Sequence, residues 1–297
     1  MIIDIIRSMR PRQWVKNLLV FAGLVFAQKF TNLTEVLRTV GAFATFCLVS
    51  GAVYIINDLR DRESDRQHPQ KRLRPIASGR LGTGPAIVAV VLVAVGALWG
   101  GWLLDGRFGL TLGAYLVLQL GYSFSLKRMV VLDVLIVAAG FALRAIAGTF
   151  VVKVEVSAWL FVCTILLALF LALAKRRHEL LFLEGGGVAH RSVLSNYSER
   201  LLDQMIAVVT SATVIAYCLY TLWPETVQKF KTHNLILSVP FVLYGIFRYL
   251  YLVYRKEEGG APEKVLFTDL PLVIDIGLWL ASVVMILYWA RVRAGSG

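Results

Sequence analysis

Charge is scarce in this chain of 297 residues: Asp, Glu, Lys and Arg together make up 17 % of it, and 19 residues are acidic. Soluble globular domains carry about 25 % charged residues. The deficit, with 58 % hydrophobic content and a mean hydropathy of +0.69, excludes a soluble fold and defines an integral membrane protein. Cysteine is equally sparse. Cys47, Cys163 and Cys218 each stand alone in an apolar run, which rules out a disulfide framework and a thiolate metal cluster. No small-residue cleavage site follows MIIDIIRSMRPRQW, so residues 1–13 read as an interfacial amphipathic segment rather than a removable signal peptide. No internal repeat is visible, which counts against an inverted-repeat transporter. No loop is long enough for a soluble domain, since the longest, 58–84 and 175–203, each run to fewer than thirty residues.

What is present is a succession of apolar runs. A helix crossing the hydrocarbon needs roughly 20 mostly apolar residues, and nine segments qualify: 14–30, 37–57, 85–104, 108–126, 129–152, 157–174, 204–223, 234–254 and 268–290. The expected fold is therefore all-α, a single transmembrane domain over 1–297 with about nine helices. Most of the 31 basic residues fall at the N-terminus (Arg7, Arg10, Arg12, Lys16) and in the loops after spans two, four, six and eight. The positive-inside rule then places the N-terminus in the cytoplasm and the C-terminus outside, in a cell membrane crossed many times. This partition accounts for the net charge of +12 without nucleic acid as a partner, because the basic loops carry acids as well. Oligomeric state is not encoded at any residue, which leaves a homo-oligomer open.

Span two runs into Asn57-Asp58-Leu59-Arg60-Asp61-Arg62-Glu63-Ser64-Asp65. If the helix continues, Asn57, Asp61 and Asp65 form an i, i+4, i+8 stripe, with Asp58 one position off. Oxygen ligands of this kind suit a hard cation, and magnesium is held by one or two carboxylates while substrate phosphates and waters complete its octahedron. The pattern predicts a diphosphate substrate, with Asn57 and Asp61 as metal ligands and Asp58, Asp61 and Asp65 as the catalytic acids. The competing reading is a solvated loop whose acids pair with Arg60, Arg62 and Arg66. The next stretch, His68-Pro69-Gln70-Lys71-Arg72-Leu73-Arg74-Pro75-Ile76-Ala77-Ser78-Gly79, sets a basic loop against the acidic helix end. Lys71, Arg72 and Arg74 are candidates for phosphate oxygens, Arg as a bidentate fork and Lys as a point charge. His68 reads as a hydrogen-bonding loop residue.

NDLRDRESD resembles the NDxxDxxxD motif of the UbiA superfamily of intramembrane prenyltransferases, whose fold has nine transmembrane helices. Tyr122-Ser123-Phe124-Ser125-Leu126-Lys127-Arg128, followed by Leu132-Asp133, is similar to the YxxxLKR stretch of that superfamily, and the likeness covers nearly the whole chain. One feature departs from the aromatic prenyltransferases of the superfamily. Their second Asp-rich motif after span six is replaced here by Ala174-Lys175-Arg176-Arg177-His178-Glu179-Leu180. An acidic motif with a basic one implies a metal-bound diphosphate donor and a directly bound anionic acceptor. That pattern, with the opening Arg10-Pro11-Arg12-Gln13-Trp14-Val15-Lys16-Asn17 and the HPxKRxRPIASG loop, resembles the decaprenyl-phosphate phosphoribosyltransferase branch. The resemblance implies a magnesium-dependent transfer from 5-phosphoribosyl 1-diphosphate to a polyprenyl phosphate, yielding a lipid-linked pentose for cell-envelope arabinose synthesis.

Further candidates follow from position. Arg144 inside span five costs about 2.5–3.5 kcal/mol unless paired or hydrated. Asp133, eleven residues earlier on nearly the same face, is one partner for it, and a substrate phosphate is the other. Lys127, at the cytoplasmic end of span four, reads as a phosphate ligand or an interface anchor. The resemblance places Lys16 at the donor's phosphates, and Tyr54, one turn before Asp58, faces the same cavity. Lys175, Arg176 and Arg177 leave span six on successive faces, so at most two reach one anion. Lys175 and Arg176 stand as candidates, with Glu179 orienting one of them. Loops 58–84 and 175–203 form the expected cap over the site, the second with a Gly185-Gly186-Gly187 hinge. The rival readings are an aromatic prenyltransferase using a polyprenyl diphosphate and a membrane transporter.

Overall fold

The computed structural model describes residues 1–156, 158–184, 192–256, 259–260, 265 and 268–295; the glycines expected as a hinge lie outside the described residues. Among the described residues every regular element is helical. The chain divides into two compact units, Met1–Ser157 and Ala158–Gly297.

In the first unit α1 (Ile2–Ser8) leads into a 3-10 helix (Pro11–Phe21) and α2 (Ala22–Phe26), followed by α3 (Leu33–Arg60), α4 (Arg62–Gln67), α5 (Thr83–Leu104), α6 (Gly106–Phe124) and α7 (Leu132–Val151). Two helix starts are fixed by side-chain caps. Asn32 accepts from the backbone N–H groups of Thr34 and Glu35 at the head of α3, and Asp105 accepts from those of Arg107 and Phe108 at the head of α6. The 28 residues of α3 span about 42 Å, against a hydrocarbon thickness of about 30 Å. Its polar C-terminal turns, which carry Asn57 and Asp58, therefore emerge at the membrane edge. Phe46 of α3 packs edge-on against Phe108 and Tyr115 of α6, with ring centroids 5.9 and 5.4 Å away, and anchors the core.

The first expected span, 14–30, is not one α-helix. Pro11 follows Arg10, whose backbone is left-handed (φ 53°), and the chain then winds at three residues per turn. Residues three apart eclipse one another in a 3-10 helix, so Asn17 and Val20 share one buried face against α3 and α7, and Gly23 and Leu24 of α2 are buried after them. A Cβ on Gly148 of α7 would sit 1.9 Å from the Val20 carbonyl oxygen, and one on Gly23 would sit 2.9 Å from the backbone of Gly148 and Thr149. The two segments thus meet backbone to backbone, which small residues permit at helix contacts in membranes.

The second unit contains α8 (Ala158–Glu184), a 3-10 turn (Ser192–Asn196), α9 (Glu199–Leu222), α10 (Pro224–Phe230), a second 3-10 turn (Asn234–Ser238), α11 (Val239–Arg255) and α12 (Leu270–Gly295). Ser198 caps α9 by accepting from the N–H of Leu201. Asp269 accepts from the N–H of Leu272 at the start of α12 and from Arg248 Nε and Nη2 at 3.0 and 2.8 Å, which pairs the charge carried by α11. Tyr217 of α9 accepts from Trp279 Nε1 of α12 at 2.9 Å and shares a hydrogen bond with Ser238 at 2.8 Å.

Among the described residues seven helical runs are long and apolar enough to cross a membrane: α3, α5, α7, α8, α9, Asn234–Arg255 and α12. Expected span four corresponds to α6, whose Arg107, Thr111, Gln119 and Ser123 leave it less apolar than these seven.

Candidate functional site

The acidic stripe breaks where the sequence pattern alone would continue it. Asp61 ends α3 and starts α4, with φ −89° and ψ 10°. Its N–H still reaches the Asn57 carbonyl at 2.9 Å, and its own carbonyl accepts from the N–H of Asp65 at 2.8 Å. The acids fall into two sets. Asp58 and Asp65 turn inward, 2 % and 3 % exposed. Arg74 Nη1 joins them at 3.1 Å and 2.5 Å, and Arg10 Nη2 donates to the same Oδ1 of Asp58. Asn57 is half-buried, and Asp61, 37 % exposed, pairs with Lys127 Nζ at 3.6 Å.

Two buried carboxylates against two arginines make a neutral brace, in which each charge has a charged partner, as burial requires. The brace links the N-terminal segment, α3, α4 and the 71–74 loop. Arg10 also lies over the Tyr54 ring, 4.9 Å from its centroid. Sequence pattern does not single Arg10 out, because a lone Arg in a basic N-terminus reads as a topology signal; its place before Pro11 in the RPRQWVKN stretch is the available cue. His68 behaves as expected of a loop residue, its Nδ1 accepting from the N–H groups of Gln70 and Lys71. Lys71 is half-buried and Arg72 exposed beside the acidic face, and Lys16 is half-buried on the 3-10 helix.

Arg144 sits deep in α7 and does not meet Asp133. Its Nε donates to Asn17 Oδ1 at 2.7 Å, Nη1 to the Gly140 carbonyl at 2.8 Å and Nη2 to the Tyr115 hydroxyl at 2.8 Å. Asp133 is fully buried in the first turn of α7, where the helix N-terminus favours a carboxylate.

In the second unit the three consecutive basic residues separate as their faces require. Arg177 is held by Glu199 and by Asp203 Oδ1, the latter at 2.7 Å, and lies 4.3 Å from the centroid of the Tyr254 ring. Arg176 pairs with Glu179, one turn on, and Lys175 is half-buried.

Among the described residues no group of three or more His, Cys, Asp and Glu is placed to hold a metal ion. A zinc-like site is thereby excluded there. The partly exposed Asp61 carboxylate, with the Asn57 carboxamide a turn away, is the kind of oxygen-donor pair that suits a hard cation whose remaining ligands come from phosphate oxygens and water. The residues fit magnesium bound together with a diphosphate.

A helical membrane protein with an oxygen-donor motif at a helix end and lysines beside it defines a class that handles anionic substrates at the membrane edge. The chain belongs to the UbiA prenyltransferase family, whose model matches residues 18–270. It is 36 % identical over 291 residues to the decaprenyl-phosphate phosphoribosyltransferase of Corynebacterium glutamicum, covering 95 % of this chain and 86 % of that one. It is 35 % identical over 288 residues to the enzyme of the same name from Mycobacterium tuberculosis, covering 95 % and 94 %. A solved UbiA homolog from Archaeoglobus fulgidus bound to DMAPP and Mg2+ shares the fold, with a TM-score of 0.71 at 20 % identity over 96 % of this chain and 99 % of that one.

Proposed function

We propose that this transferase moves a 5-phosphoribosyl group from 5-phosphoribosyl 1-diphosphate to a polyprenyl phosphate of the decaprenyl type, releasing diphosphate. The observation that carries the reading is identity of 35–36 % across 95 % of the chain with relatives named for that activity. The site's chemistry agrees with it: one oxygen-donor motif, and at the C-terminal turns of α8 the basic run Lys175-Arg176-Arg177 where a second acidic motif would stand.

The acceptor phosphate is already anionic at neutral pH, so one of its oxygens attacks the anomeric carbon without a protein base, and the bond from that carbon to the diphosphate breaks. Direct displacement inverts the anomeric centre. Charge accumulates on the departing diphosphate, and the residues answer it. Lys127, beside Asp61, with Lys16, Tyr54, Lys71 and Arg72, binds the donor's phosphates. Lys175 and Arg176 hold the acceptor phosphate. Asn57 and Asp61 would hold magnesium, which would supply further neutralisation of charge on the leaving group. Asp58 and Asp65, joined through Arg74 and capped by Arg10, keep the end of α3 in register, and that positioning carries part of the rate. The site faces the cytoplasm of the cell membrane, where a soluble sugar phosphate arrives while the lipid stays in the bilayer.

The test is incubation of the purified protein with labelled 5-phosphoribosyl diphosphate, magnesium and a series of polyprenyl phosphates, scoring label in the lipid phase. Metal-dependent transfer that disappears in Asp61→Ala is the expected result. Absence of transfer to every polyprenyl phosphate, with prenylation of an aromatic acid instead, overturns the proposal in favour of an aromatic prenyltransferase.

A further inference from the structure

Arg144 is 6 % exposed, in the interior of a membrane-spanning helix, and its three hydrogen bonds all go to neutral acceptors. Two aromatic rings, Tyr115 and Phe141, flank the guanidinium with centroids 4.7 and 5.3 Å from Cζ, which stabilises the charge through their π faces. From Arg144 the network runs on through Asn17, 1 % exposed. Its Oδ1 accepts from Arg144, so its amide nitrogen points the other way, to Ser50 Oγ at 3.1 Å and Cys47 Sγ at 3.3 Å on α3. Ser50 Oγ donates in turn to the Cys47 carbonyl at 3.2 Å. One guanidinium thus ties together α7, α6 and the 3-10 helix, and Asn17 extends the tie to α3.

The location of this tie gives it a consequence for chemistry. Lys16 is the residue before Asn17, and at three residues per turn an Asn17 locked against α3 and α7 also fixes the direction in which Lys16 leaves the helix. Ser50 stands seven residues, or about two turns, before Asn57 on the same helix. The network therefore sets the 3-10 helix relative to the element that carries the oxygen-donor motif. A planar fork reaches acceptors on three elements at once, which an ammonium cannot do.

We propose that Arg144 is a positioning residue of the transfer site: it orients Lys16 through Asn17 and does not itself touch a substrate phosphate. The inference rests on the reading of Lys16 as a ligand of the donor's diphosphate. The full-length protein in lipid nanodiscs is titrated with inorganic diphosphate and magnesium by calorimetry. Lys16→Ala, Arg144→Gln and Arg144→Lys are each expected to weaken binding about tenfold, the size of one charge-assisted hydrogen bond broken or misaligned. The double variant Lys16→Ala/Arg144→Gln is expected to bind no more weakly than either single variant. A merely structural role would lower the thermal midpoint without this coupling.

Wild-type affinity in Arg144→Lys overturns the proposal, because it shows that charge alone suffices, as for a direct contact. A double variant weakened about a hundredfold, the product of the singles, also overturns it. If the Arg144 variants do not fold, Asn17→Ala with Lys16→Ala completes the same cycle and is read in the same way. A wild-type protein that binds no diphosphate sinks the Lys16 assignment and this proposal with it. One that binds diphosphate but transfers no phosphoribosyl sinks the reaction alone.

Discussion

Asp58, 2 % exposed between two arginines, and Asp61, 37 % exposed beside one lysine, should respond oppositely to replacement. Asp58→Ala removes the carboxylate that Arg10 donates to, while Arg74 keeps Asp65. Breaking a buried pair costs about 3–5 kcal/mol, and partial exposure of both arginines puts this one near the lower end, about 3 kcal/mol, as a clear drop in the thermal midpoint in detergent. Asp61→Asn removes an exposed pair worth about 0–1 kcal/mol, so the midpoint should hardly move while transfer is lost. Equal thermal losses in the two variants would contradict the division into brace and ligand. The residue types at this site are readable from NDLRDRESD, since carboxylates leaving an apolar helix point to a cation and a phosphate. Their division is not, because it depends on Arg10 and Arg74, which reach Asp58 and Asp65 from outside the motif. Arg10 is hidden for a related reason: its partner lies 48 positions away in the sequence, beyond any local pattern.

At the scale of elements, the 3-10 helix and α7 make the sharpest prediction. Gly148→Ala places a methyl 1.9 Å from the Val20 oxygen, where backbone must move, and overpacking of this kind costs about 1–3 kcal/mol. Removing the cap of α3 with Asn32→Ala should cost about 1 kcal/mol. Thermal unfolding of both variants ranks the two, and a Gly148→Ala protein as stable as wild type would show that the close approach does not exist. Among the described residues seven of the nine expected spans are long apolar helices, because burial and lipid exposure both favour the same residue types. The first segment departs from expectation because Pro11, after a left-handed Arg10, opens a 3-10 helix in which Asn17 and Val20, three apart, share the buried face.

For the molecule as a whole, the basic loops predict sidedness. A cysteine introduced at exposed Arg72, in a background lacking Cys47, Cys163 and Cys218, should react with an impermeant maleimide in inside-out vesicles and not in intact cells; the opposite pattern reverses the orientation. The division at residue 157 is not visible in the sequence, since no polar linker or change in composition marks it. The three groups that receive hydrogen bonds from Arg144 have a shared property in time. Asn17, Tyr115 and Gly140 all precede it in the chain, and synthesis runs from the N-terminus. When the ribosome delivers the charged segment to the bilayer, every acceptor it requires has already been made, so the most awkward residue in the first unit enters a membrane prepared to receive it.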